Sequence, residues 1–123
     1  MSLTVTIPGR PPNVGNARLS WKAKHFGVAK VRKELVALLA SSARAKARMA
    51  PATGWRKATA TVSLAGSFFD PDNVYSALKF DIDGLVAGGA LEDDTADLLE
   101  LSVRQRRVQT RNQQEVVWEV EDG

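Results

Sequence analysis

The pattern of apolar residues along the 123-residue chain predicts an α/β protein of the α+β kind. It calls for about four strands in a mixed sheet with two helices packed on it, in a single domain spanning 1–123. Three observations carry this expectation. Four short segments alternate apolar and polar residues, as half-buried strands do, and two longer segments carry apolar residues at helical spacing. The apolar and charged fractions, 44% and 25%, are those of an ordinary folded domain.

Leu3–Ile7 alternates and stops at Pro8, so it is the first expected strand. Pro8–Gly27 opens with the turn-rich PGRPPNVGN and goes on through Arg18, Trp21, Lys22, His25 and other residues without a clear period, which predicts a long loop. Val28–Met49 follows as a helix whose stripe of Val28, Val31, Leu35, Leu38 and Leu39 is expected to face the sheet, with Pro51 and Gly54 ending it. Ala58–Leu64, ATATVSL, alternates as a second strand. A second helix is expected over about Asn73–Ala87, closed by Gly88-Gly89. Leu98–Val108 and Glu115–Val120 then predict two strands joined as a hairpin by the polar QTRNQQ turn.

Composition excludes several kinds of chemistry. With no cysteine there is no disulfide scaffold, thiolate zinc site or cysteine nucleophile, and His25, the single histidine, cannot build a histidine-rich zinc site. Any metal is therefore expected on carboxylates, which favours Mg²⁺, Mn²⁺ or Ca²⁺. No apolar run approaches the roughly 20 residues of a membrane span and MSLTVTIPGR lacks a signal-peptide core, so a cytoplasmic protein is expected.

The net charge of +3 conceals a segregation. Residues 1–57 hold twelve Lys or Arg against Glu34 alone, whereas residues 58–103 hold Lys79 against nine acids. Cations that neutralise phosphates beside carboxylates that hold an ion are what a metal-dependent nuclease needs. Solvation of helix faces is the competing account.

The acidic centre is concentrated in FFDPDNVYSALKFDIDGLVAGGALEDD, Phe68 to Asp94. Asp70 and Asp72 lie two residues apart at a strand end, with Pro71 stiffening the link, so two hard oxygen donors converge. On a helix, positions 72, 76, 79 and 83 fall within about 40° of one another, which lines up Asp72, Ser76, Lys79 and Asp83. The Gly-Gly turn lets Glu92-Asp93-Asp94 fold back toward them, while Asp81 lies nearly opposite and is expected at the surface. Such a set offers a divalent ion several carboxylates and leaves positions for water and a phosphate oxygen. Lys79 offers a compact cation. The plainer alternatives are that Asp70 and Asp72 are turn and helix-cap residues, that Lys79 is a solvated lysine and that Asp83 is a salt-bridge partner.

In these residues the chain resembles the RusA family of Holliday-junction resolvases. That family's Asp-x-Asp-Asn, downstream Lys, Asp four residues later and acidic doublet after a glycine turn read here as Asp70, Asp72 and Asn73, then Lys79, Asp83, and Asp93-Asp94. The Pro11-Pro12-Asn13 segment is similar to the family's N-terminal pattern. The resemblance implies a RusA-like fold and a homodimeric, Mg²⁺-dependent endodeoxyribonuclease, with Mn²⁺ able to substitute, in a bacterial or phage-infected cell. Paired nicks across a four-way junction would serve DNA recombination and repair. It assigns Asp70, Asp72, Lys79 and Asp94 as catalytic, with Lys79 as base or phosphate contact, and Asp70, Asp72, Asp83, Asp93 and Asp94 as candidate metal ligands. A non-catalytic branched-DNA-binding module and a general flap or fork nicking enzyme are the alternatives.

Expected DNA contacts are Asn13, Arg18, Lys22 and Lys24 in the first loop, Asn73 in the motif, and Phe69. Phe68 and Phe69 are either core anchors or a wedge that stacks on bases. Arg104 and Arg106, on one face of the third strand, either contact phosphates or guard an edge. Trp55, Trp118 and the second helix are candidate dimer-interface groups.

Overall fold

The computed structural model describes residues 2–12 and 19–122, and for 19–26 and 28 the backbone alone. Its centre is strand β2 (Arg56–Leu64), whose Ala58, Ala60, Val62 and Leu64 are wholly buried. A strand this buried needs a neighbour on each side, and it has two. β3 (Leu99–Arg107) runs parallel to it, and β4 (Glu115–Asp122) runs antiparallel. β1 (Ser2–Pro8) pairs antiparallel with β4, giving the mixed order β1-β4-β2-β3. The four expected strands are thus present with ends shifted by one or two residues.

The expected hairpin between the last two strands is not formed, because β2 lies between β3 and β4. The polar segment that joins them crosses the end of β2 instead. Val108 donates to the Leu64 carbonyl at 3.0 Å, and the Gln114 side chain accepts from Ala65 N–H at 3.1 Å. Parallel β2 and β3 require a crossover, which helices α2 (Pro71–Ala77) and α3 (Lys79–Ala87) provide. The single helix expected over 73–87 is therefore two, separated at Leu78 (φ −88°, ψ −2°). The stripe from Asp72 to Asp83 is interrupted there.

Helix α1 (Leu19–Ala47) starts well before the expected Val28, so the second half of the expected loop is helical. The turn residues end at Asn16, and Leu19–Phe26 contains no proline or glycine to stop a helix. Its buried face also differs from expectation. Ala29, Val36 and Ala40 are buried, whereas Val31, Leu35 and Leu38 are exposed. The cause is a close helix crossing. A Cβ on Gly84 would lie 2.6 Å from Val36 Cβ, and one on Gly88 would lie 2.5 Å from the Ala37 carbonyl oxygen, so α3 seats its glycines directly on α1. The glycines of α3 and the Ala29, Val36 and Ala40 face of α1 set this contact; of the expected stripe Leu39 packs against the core, while Val31, Leu35 and Leu38 are left outside.

Asp81, expected at the surface, is wholly buried. Arg32 donates to it through Nε at 2.5 Å and Nη2 at 3.1 Å, and the Trp118 indole donates at 3.1 Å. Trp118 is therefore a core residue and not an interface group. Arg44 donates to the Gly88 and Met49 carbonyls, and buried Arg56 to Ala90, Ala50 and Asp122. Part of the basic N-terminal half thus fastens the fold. No helix among the described residues is long and apolar enough to cross a membrane.

Candidate functional site

Beyond β2 the chain turns through Phe68 and Phe69 into α2, and Gln105 on β3 fixes this turn. Its side-chain amide accepts from the Phe69 N–H at 2.8 Å and donates to the Phe69 carbonyl at 2.9 Å. Phe69 is buried, with the Arg10 guanidinium 4.4 Å from its ring centroid. It is a core anchor, and burial removes it from the expected DNA contacts. Phe68 is exposed, with Arg107 5.1 Å from its ring centroid. Asn73 is buried too, at 7% exposure, which leaves it little surface for the expected DNA contact.

Asp70 follows directly, in extended conformation at the N-cap of α2, with Pro71 at the first helical position. A capping aspartate accepts from the N–H groups of the first turn, but the Asp70 side chain makes no such bond. Asp72 is exposed in that turn. Neither carboxylate has a side-chain hydrogen bond or ion pair among the described residues, so the capping reading leaves both unaccounted for.

A second cluster is built on α3 and the turn after it. Gly89, at φ +80°, reverses the chain, and buried Leu91 anchors the return. This brings Asp94 to Lys79, with Nζ 2.5 Å from Oδ2, and Asp83 lies 3.5 Å from the same ammonium. The Asp94 N–H donates to Asp93 Oδ1 at 2.8 Å. Asp83, Asp93 and Asp94 line a cleft of about 320 Å³ with Lys33. The expected fold-back of the acidic doublet is thus present.

The electrostatics are those of a clamped ion pair. The hydrogen bond that Lys79 donates to Asp94 is the largest influence and raises the Lys79 pKa; burial opposes it, and the negative charges of Asp83 and Asp94 add to the rise. The same hydrogen bond and the Lys79 charge hold the Asp94 carboxyl below the ordinary carboxylate value. Lys79 is therefore protonated at neutral pH, which favours a phosphate contact over the general-base alternative.

Among the described residues no three carboxylates converge to hold an ion together. β2 ends at Leu64, so Asp70 and Asp72 stand at the N-cap and in the first turn of α2 and not at a strand end. The strand alternation expected to align them is absent. Asp83 and Asp94 flank Lys79, with Asp93 bonded to the Asp94 N–H. The donor chemistry nonetheless fits Mg²⁺, which is commonly held by one or two carboxylates and completed by water and phosphate oxygens. Arg104 and Arg106 are exposed on the sheet face away from the helices, in register with Thr61 and Ser63. Asn13 and Arg18 lie outside the described residues, as do the side chains of Lys22 and Lys24.

Three residues at or beside these clusters were not anticipated. Gln105 occupies an inward position of the alternation Leu99, Leu101, Val103, Gln105, and a polar residue at such a position is the signal that would have revealed it. Arg10 and Lys33 have no comparable signal within the general run of basic residues. Neither a family model nor a curated protein matches the chain.

Proposed function

We propose that this chain is an Mg²⁺-dependent endodeoxyribonuclease that cuts branched DNA, with the four-way junction as its substrate. The observation that carries the proposal is the pair Asp70 and Asp72, exposed, two residues apart and without internal partners, on a turn strapped to the sheet by Gln105. Two exposed carboxylates two residues apart in sequence, with no partner among the described residues, are open to an external cation.

On this reading Asp70 and Asp72 hold the ion, Asp94 and Asp83 keep Lys79 charged and oriented, and Asp93 holds Asp94 through its N–H. The ion, when bound, acidifies a water and withdraws charge from the scissile phosphate. Lys79 shifts from Asp94 toward a non-bridging phosphate oxygen and stabilises the charge that accumulates there as the phosphodiester is attacked. The exposed Arg104 and Arg106 and the basic first segment supply sequence-independent phosphate contacts. A two-fold dimer would match the near-two-fold symmetry of the junction and its paired nicks.

The test is cleavage of a synthetic four-way junction, with flap and fork substrates alongside, in Mg²⁺ and in EDTA. Paired nicks that need Mg²⁺ support the proposal. Binding without cutting would make the chain a branched-DNA-binding module, and preferred cutting of flaps or forks would make it a general nicking enzyme.

A further inference from the structure

Three chain segments meet at one end of the sheet, and each brings hydrogen-bond donors. β1 stops at Pro8, and Gly9, at φ +90°, turns the chain while its N–H donates to the Gln114 carbonyl at 2.8 Å, so Arg10 follows close to Gln114. β2 stops at Leu64 and continues through Ala65 and Gly66. The connection from β3 to β4 crosses the same end, with a 3₁₀ turn at Arg111–Gln113. Between them lies a cavity of about 670 Å³ lined by Arg10, Ala65, Gly66, Gln109, Arg111 and Gln114. No carboxylate lines it among the described residues, and Glu115, next in the chain, makes no ion pair among them.

The wall formed by the crossing segment is held by side-chain amides. The Gln113 side-chain oxygen accepts from the N–H groups of Gln109 and Thr110, each at 3.0 Å, and the Gln114 side-chain oxygen accepts from the Ala65 N–H at 3.1 Å. That leaves the Gln114 NH₂ group to donate elsewhere. Among the described residues the Gly66 N–H and the Arg111 guanidinium have no partner. Arg10 donates through Nη1 to the Ser67 carbonyl at 3.1 Å and stands over the Phe69 ring, which still leaves it further N–H groups.

Two guanidiniums lining one cavity with no acid between them repel each other, and an anion placed between them reverses the sign of the interaction. The shape of the anion follows from where the donors come from. A carboxylate presents two oxygens in one plane and is matched by a single guanidinium fork. A phosphate group has its oxygens arranged tetrahedrally and can accept from several directions, as donors arriving from three segments require.

We propose that this cavity binds one phosphate group of a nucleic-acid strand, with Arg10 and Arg111 as its cations and the Gly66 N–H and the Gln109 and Gln114 amides as further donors. A strand is favoured over a free ion by what continues from the cavity. Arg106 lies in register with Ser63, one residue before the end of β2, and Arg104 follows two residues away on the same open face, so positive charge runs on from the cavity along β3. Arg10 also ties the cavity to the Asp70 turn, since Ser67 and Phe69 belong to the segment that leads into it. The choice of a strand rests on the proposed function, whereas the anion site rests on its own donors.

The whole protein in EDTA is titrated with sodium phosphate, and separately with a single-stranded oligonucleotide, while ¹⁵N spectra record the backbone amides and the arginine Nε–H groups. Phosphate should shift the Gly66, Gln109 and Gln114 amides and the Nε–H groups of Arg10 and Arg111 saturably, and the oligonucleotide should shift the same groups at lower concentration. Arg111→Gln breaks no contact among the described residues and should keep the far-UV spectrum and Tm of the wild type. It should lose the phosphate shifts, and its log-affinity for a four-way junction should fall less steeply with log salt, by about 0.7–0.9 in slope for one lost phosphate contact. Lys46→Gln, which removes the same charge from the last turn of α1, should keep the phosphate shifts. Phosphate shifts absent from Gly66 and Arg111, or spread evenly over the basic side chains, would overturn the anion site. Shifts with phosphate and none with the oligonucleotide would overturn the strand assignment in favour of a free ion. Nothing is cleaved in these titrations, so a protein that fills the cavity yet never cuts a junction refutes the proposed function and not the site.

Discussion

The side-chain amide of Gln105 holds the backbone of Phe69 from both sides, one residue before the Asp70 carboxylate. A side chain on the edge strand therefore sets the position of a candidate metal ligand on another element. Gln105→Leu keeps the volume but leaves the Phe69 N–H and carbonyl without partners, at a cost of about 1–3 kcal/mol each when buried. Urea unfolding should show the loss, and Mg²⁺ titration should show weaker binding. A less stable variant with wild-type Mg²⁺ affinity would reduce Gln105 to a purely structural role.

The Lys79–Asp94 pair fixes a pH signature. Lys79 has a raised pKa when folded, so its contribution is complete below the unfolded lysine value and is lost only as pH rises through the folded one. Asp94 has a lowered pKa, so its contribution is complete above the ordinary carboxylate value and is lost as pH falls through the folded one. Between these limits the pair stays charged. The Lys79 ammonium should therefore stay charged from about pH 5 to about 9, and a contact that uses it as a cation adds no pH dependence of its own over that range. An ion-activated water makes cleavage climb with pH whichever role Lys79 has, so NMR titration of Lys79, and not the rate profile, separates a cation from a base. Asp94→Asn should lower the Lys79 pKa, read by NMR titration of its ε-CH₂ in metal-free protein.

How much of this was legible in the sequence depended on whether the deciding partner was local. Alternation at Leu3, Val5 and Ile7, and at Ala58, Ala60 and Val62, exposed the strands because each burial choice recurs two residues on. Strand order was not legible, since the polar segment after Val108 suits a hairpin turn and a crossing over β2 equally well. The buried face of α1 was misread because Gly84 and Gly88 let Val36, Ala37 and Ala40 approach α3 closely, which turns Val31, Leu35 and Leu38 outward. The carboxylates could be named from Asp70-x-Asp72 and Asp93-Asp94. What each one touches could not, because Asp94 meets Lys79 through a glycine turn and Gln105 meets Phe69 across the sheet.

Asp81 illustrates the same limit at the level of stability. Its partner Arg32 is 49 residues away, and the pair is nearly free of solvent. Asp81→Ala leaves a desolvated guanidinium and the Trp118 indole without their acceptor, so unfolding should be easier by about 3–5 kcal/mol. Arg32→Met combined with Asp81→Leu removes both charges and should recover most of the loss. If the double variant is as unstable as the single one, the pair contributes through geometry and not through mutual neutralisation.

The carboxylate pair itself can be tested apart from catalysis. Asp70 and Asp72 have no side-chain partners among the described residues, so in EDTA their replacement by Asn should leave stability nearly unchanged, because no contact is lost. Adding Mg²⁺ should stabilise the wild type by mass action, about 1.4 kcal/mol at ten times the dissociation constant, which for a chain of this size is a rise of several degrees in Tm. Asp70→Asn and Asp72→Asn should each shrink that rise, and the double variant should abolish it. The same variants should bind a four-way junction at least as tightly as wild type, since each removes one negative charge near phosphate, while cleavage falls by at least about a hundredfold. Asp83→Asn, whose carboxylate faces Lys79, should keep most of the Mg²⁺ shift. An Mg²⁺ shift retained in the double variant and lost in Asp83→Asn would move the ion from the Asp70 turn to the cleft beside Lys79.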